Sequence, residues 1–181
     1  MADARFWSSN RVEPKRSYRW WGLIDLTGPT AGEFGPPVFN VKSFTKPKIN
    51  LDSEKVINNF TSQTRIITKN YTWDNCTIVF HDMETGYNAS DKVYGWLTSM
   101  GYQPVQNAKS LSKFFTNIQN NTFNLKLAHL DSQGRVTESW NFIEPQPVSI
   151  DFGGDLSYDT DESLTVSMEI TYVAAEYQKK F

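Results

Sequence analysis

The sequence predicts a mainly β fold with one clear helix and a long exposed hairpin, on three observations. Apolar residues recur at every second position in several stretches, the signature of half-buried strands. Only one stretch combines helical spacing with a cap and a glycine stop, and residues 46–71 alternate in short pieces around a polar middle. At 181 residues, 39% of them apolar and 14% aromatic, the chain can bury one substantial core, so a single domain over 1–181 is expected, with an arm at 1–14.

Taken in order, "RWWGLIDL" reads as a strand with apolar residues on both faces. The following "TGPTAGEFGPP" is a loop, because Pro29, Pro36 and Pro37 exclude a central strand. "KPKINLDSEKVINNFTSQTRIITKNY" looks like an exposed hairpin with little core of its own, and such a hairpin needs something to rest on. "WDNCTIVFHD" sets Cys76, Ile78 and Phe80 against Asn75, Thr77, Val79 and His81. In "SDKVYGWLTSM", Val93, Trp96, Leu97 and Met100 share a helical stripe, Asn88 or Ser90 supplies the cap and Gly101 the stop. "SLSKFFTNIQ" reads as only a helical turn or two.

"TFNLKLAHL", the turn "DSQG" and "RVTESWNFI" form a second hairpin. "EPQPVSIDFGGD" reads as a loop on its Pro145 and Pro147. In the final strand, Leu164, Val166, Met168, Ile170 and Tyr172 face one way, and Ser163, Thr165, Ser167, Glu169 and Thr171 the other.

The chemistry of the chain is more easily bounded than assigned. Eighteen Lys and Arg against 20 Asp and Glu leave a net charge of -2, which argues against gripping nucleic acid through its phosphates. Arg11, Lys15, Arg16 and Arg19 cluster near the start beside Glu13, and read as a solvated or subunit-pairing segment. No apolar run is long enough for a helical membrane span, and no secretory h-region opens the sequence. Sequons at Asn59, Asn70, Asn75, Asn88 and Asn120 are read as accidents of an Asn- and Thr-rich composition. Cys76 is the only cysteine, which excludes an internal disulfide and points to a reducing compartment.

The acidic stretch from Asp151 to Glu162 invites a calcium reading, but the EF-hand position that requires Gly holds Leu156. A turn built from Asp and Gly is the better account. His81 and His129 accompany no nucleophile elbow, and Cys76 and His81 point to opposite faces of one strand. No phosphate loop, CxxC or HExxH is present. No enzyme activity, metal or cofactor is therefore expected. Trp20, Trp21, Trp73, Trp96 and Trp140 would serve a sugar-binding sandwich in the alternative reading, and core or subunit packing in the preferred one.

The order of these features, carried by "YTWDNCTIVFHD", "SDKVYGWLTSMG" and "WNFIEPQPVSIDFGGDLSYDTDESLTVSMEITYVAAEY", resembles the tail-tube proteins of contractile phages of the T4 type and the related tube protein of type VI secretion. The likeness runs from about Lys15 to Tyr177 and departs from the shorter members in segments 27–37 and 103–121. It implies a β-barrel or sandwich with one flanking helix, assembled into hexameric rings that stack around a lumen for genome ejection. Expected partners are further copies of the chain, tail sheath and baseplate proteins, and double-stranded DNA passing without tight binding, with no membrane. The expected location is the virion tail, after synthesis in the host cytoplasm. A tube-initiating baseplate ring is the alternative within the same machine. On this reading the subunit contacts fall on Arg16, Arg19, Lys48, Ile49, Val56, Ile57, Phe60, Ile66, Asp155, Asp159 and Asp161. Ser163, Thr165, Ser167, Glu169 and Thr171 would line the lumen, or else form an ordinary solvated strand face.

Overall fold

A computed structural model describes residues 15–26, 41–58, 63–84, 88–104, 108–120, 123–154, 156, 158–159 and 162–179. Along them run β1 (Trp20–Asp25), β2 (Val41–Phe44), β3 (Ile49–Asn58), β4 (Gln63–Trp73), β5 (Cys76–His81), α1 (Ala89–Ser99) and α2 (Ala108–Asn120). The chain closes with β6 (Asn124–Leu130), β7 (Val136–Ile143), β8 (Gln146–Asp151), β9 (Thr165–Thr171) and β10 (Ala174–Lys179). The strands form two four-stranded antiparallel sheets, β1-β6-β7-β10 and β2-β5-β9-β8, while among the described residues β3 and β4 pair only with each other.

The core sits between the two sheets because the period-two pattern turns the same residues inward on each. Cys76, Ile78 and Phe80 of β5 are buried beside Val166, Met168 and Ile170 of β9; Ile78 lies opposite Met168 and Phe80 opposite Val166. The other sheet contributes Ile24, Leu125, Leu127 and Phe142. Phe44 links the layers, its ring 6.4 Å from that of Trp20 and 5.6 Å from that of Phe142.

Helix α1 completes this core with Ala89, Val93 and Trp96, followed by Met100 at its end. Trp96 stands edge-on to Phe123 at 5.9 Å, a favoured aromatic geometry. One carboxamide and one carboxylate side chain accept from the free amides of its first turn. Asn88 Oδ1 accepts from Asp91 N at 2.7 Å, and Asp82, just after β5, accepts from Ala89 N at 2.9 Å and from Ser90 Oγ at 2.6 Å. The helix stops at Gly101, whose φ of 98° suits glycine and few other residues.

Several expectations need correction. The fold has a second full helix, α2, where the sequence suggested a turn or two; it is 13 residues long and lays Phe114 and Ile118 against the core while Leu111 and Phe115 stay exposed. The supposed Pro loop contains β8. Pro147 is accommodated because β8 is an edge strand, with a register shift between Pro147 and Ser149. The hairpin runs over Ile49–Trp73 rather than 46–71. Leu164 precedes β9 and is exposed instead of sharing the buried face. The closing segment also serves both sheets: beyond β9 the chain crosses at Tyr172, Val173 N donates to Ile143 O at 3.0 Å, and β10 pairs with β7. The arm at 1–14 and the loop at 27–37 lie outside the described residues.

Candidate assembly surfaces

The hairpin is the largest feature without a core of its own. Its register pairs Ile49 with Trp73 and Ile57 with Thr64, and Leu51, Ile57 and Ile66 are 63%, 64% and 68% exposed. Val56, Ile67 and Tyr71 are exposed as well. Both faces thus present apolar side chains, interrupted by an ion pair between Glu54 and Lys69. A two-stranded ribbon in water is marginal unless a surface covers it.

The root of the hairpin is fixed by Asp74. Its backbone N donates to Lys48 O at 2.9 Å, its carboxylate accepts from Lys48 Nζ at 2.7 Å, and Asn50 Nδ2 donates to the other oxygen. The hydrogen bond from Lys48, with its charge and the bond from Asn50, outweighs desolvation and holds the Asp74 carboxyl below its ordinary value.

A second anchor is Glu138 on β7, a buried carboxylate at the floor of a pocket of about 370 Å³. Lys15 donates to Glu138 Oε2, Lys46 Nζ lies 3.4 Å from Oε1, and Tyr177 Oη donates to Oε2 at 3.1 Å. One side chain therefore gathers the segment before β1, the linker into the hairpin and β10. Burial pushes the Glu138 carboxyl up, but the hydrogen bonds from Lys15 and Tyr177 and the two ammonium charges prevail and leave it lowered. The same hydrogen bond raises Tyr177 above its ordinary value. Opposite Glu138 in register stands His129, whose Nε2 lies 3.0 Å from Arg16 O. A carbonyl only accepts, so that nitrogen carries the proton. The pocket walls are aromatic and cationic: Trp20, Phe44 and Trp140, with Lys15, Arg16 and Lys46 at the lip.

The residues singled out from sequence fall on three places. Lys48, Ile49, Val56, Ile57 and Ile66 belong to the hairpin and its root, and the four apolar ones are exposed. Arg16 is at the pocket, and Arg19 next to it lies over the Tyr18 ring at 5.6 Å. Asp159 is exposed in the acidic loop, while Phe60, Asp155 and Asp161 lie outside the described residues. At the start of that loop Asp151 Oδ1 accepts from Gly153 N at 3.1 Å, an Asx turn of the kind expected. The polar side of β9 is drawn together rather than open: Glu169 accepts from Asn75 Nδ2 at 2.9 Å and Ser149 Oγ at 3.2 Å. Thr165, Ser167 and Glu169 are half-buried, and Ser163 and Thr171 exposed. Trp96 lies in the core, and Trp140 packs against Tyr177 with ring centroids 5.0 Å apart and planes tilted by 54°, so the described tryptophans do not form one open sugar-binding face. Sequence reasoning missed Glu138 and Asp74, since nothing local distinguishes a carboxylate whose partners are distant in the chain.

Two packed four-stranded antiparallel sheets, a core helix and a self-paired hairpin define a tail-tube-like fold, and solved structures share it. A chain of the sheath/tube terminator of the PVC extracellular contractile injection system, in the extended state, superposes with a TM-score of 0.64 over 93% of this chain and 99% of its own, at 10% identity. The anti-feeding prophage tube-terminating cap gives 0.64 over 93% of each chain at 17% identity, and the PVC sheath-tube complex 0.63 over 92% of this chain and 93% of its own at 11%. No family model and no curated protein sequence matches the chain.

Proposed function

We propose that the chain is a structural subunit of a contractile-type tail tube, building rings of copies that stack around a lumen. The observation that carries this reading is the hairpin β3–β4, paired only with itself and apolar on both faces; in a stack it rests on the next copy. Among the described residues, β2 and β8 and β1 and β10 end their sheets without a further strand, and these edges give the same subunit sites for ring closure, which removes the liability of an unpaired edge. Six-fold rings, a sheath outside and a genome sliding through belong to this reading. The net charge of -2 suits a conduit that does not hold its cargo.

A second reading, a ring that ends the tube, is favoured by the 17% identity and full-length likeness to the anti-feeding prophage cap. Electron microscopy of the purified chain separates them: stacked rings or tubes are expected for a tube subunit and isolated rings for a terminator. A monomer at every concentration would sink both.

A further inference from the structure

The two most exposed large apolar side chains among the described residues are Leu156, at 81%, and Tyr158, at 110%. Both stand in the acidic loop between β8 and β9, within a stretch that carries Asp151, Asp155, Asp159, Asp161 and Glu162. An aromatic and an aliphatic side chain held out in water, in a stretch of sequence rich in carboxylates, are suited to enter something apolar with a cationic rim. The pocket above Glu138 has that chemistry. Its walls are Trp20, Phe44 and Trp140, and three cations, Lys15, Arg16 and Lys46, outnumber the single carboxylate of Glu138. Its volume of about 370 Å³ lies within the roughly 300–1,000 Å³ of pockets that enclose a small ligand. None of the described loop residues lines the pocket of its own chain.

We propose that the acidic loop of one copy docks in the Glu138 pocket of the next. Leu156 and Tyr158 enter between Trp20 and Trp140, and the loop carboxylates face Lys15, Arg16 and Lys46. The proposal rests on the assembly reading above and names a contact within it. Because loop and pocket are different surfaces, each copy offers one of each, and the contact propagates from copy to copy instead of closing a pair.

The test uses the full chain. Ser17→Cys, at the pocket, and Leu156→Cys are made in separate populations, mixed under assembly conditions and treated with a short bifunctional thiol reagent. Burial pushes the Cys76 thiol up to about 12, so the native cysteine stays silent. Cross-links between chains are expected in the mixture. In parallel, Tyr158→Ala is expected to raise the concentration needed for assembly about tenfold or more, equivalent to ~1.4 kcal/mol. If assemblies form but no inter-chain cross-link appears, or Tyr158→Ala assembles at the wild-type concentration, this contact is wrong while the assembly reading stands. If the wild-type chain never assembles, both fail together.

Discussion

Glu138 shows how much a single residue can hold. It is buried between Lys15, Lys46 and Tyr177 and faces His129 across the ladder, so a neutral replacement loses charge-assisted hydrogen bonds while leaving the shape intact. Lys15 and Lys46 are more than half exposed, and solvent screening weakens their share. Glu138→Gln is therefore expected to cost about 1–2 kcal/mol, at the low end for a hydrogen-bonded charge, read from denaturant midpoints. The sign of the pH dependence follows from its lowered carboxyl: the stabilisation is present above the ordinary carboxylate range and is lost as pH falls through the lowered value. Wild-type stability should thus fall more steeply in acid than that of Glu138→Gln, and parallel curves would refute the role. None of this was legible in the sequence, because Glu138 and Lys15 are brought together only by the finished sheet.

At the scale of elements, the hairpin is separable. Apart from its root at Lys48, Asn50 and Asp74, its strands pair only with each other, so deleting residues 50–68 is expected to leave the thermal unfolding midpoint within a few degrees of wild type and to abolish stacking. Tubes of normal length from the deletant would refute the assembly role of this element. Strands β5 and β9, which sequence located well, each bury every second residue, as a strand with one buried face requires. Strand β8 escaped notice because Pro147 and Pro145 resemble loop punctuation, and an edge position with a register shift makes Pro147 tolerable. Helix α2 was read short because Lys109, Ser112, Lys113 and Thr116 dilute its narrow apolar stripe. Strand β10 was hidden because the apolar pattern of β9 runs into it without a turn signal.

Across the whole molecule, stability rests on one core to which both sheets and α1 contribute. Trp96 is its largest fully buried side chain, and Trp96→Ala is expected to cost about 3–5 kcal/mol, a large part of the ~5–15 kcal/mol that holds a typical domain. Chemical denaturation measures this directly; a loss below 1 kcal/mol would mean that the helix is not integral to the core. The tail-tube-like fold was legible before the structure because it is written in the order of elements, and the long-range anchors were not because they are written in none of them. The lone hairpin has a further consequence. A subunit with one such projection has a front and a back, so any stack in which the hairpin rests on the next copy has structural polarity. One terminus displays uncovered hairpins and the other displays vacant seats for them, so a protein that fits one terminus by filling its seats has no equivalent purchase on the other.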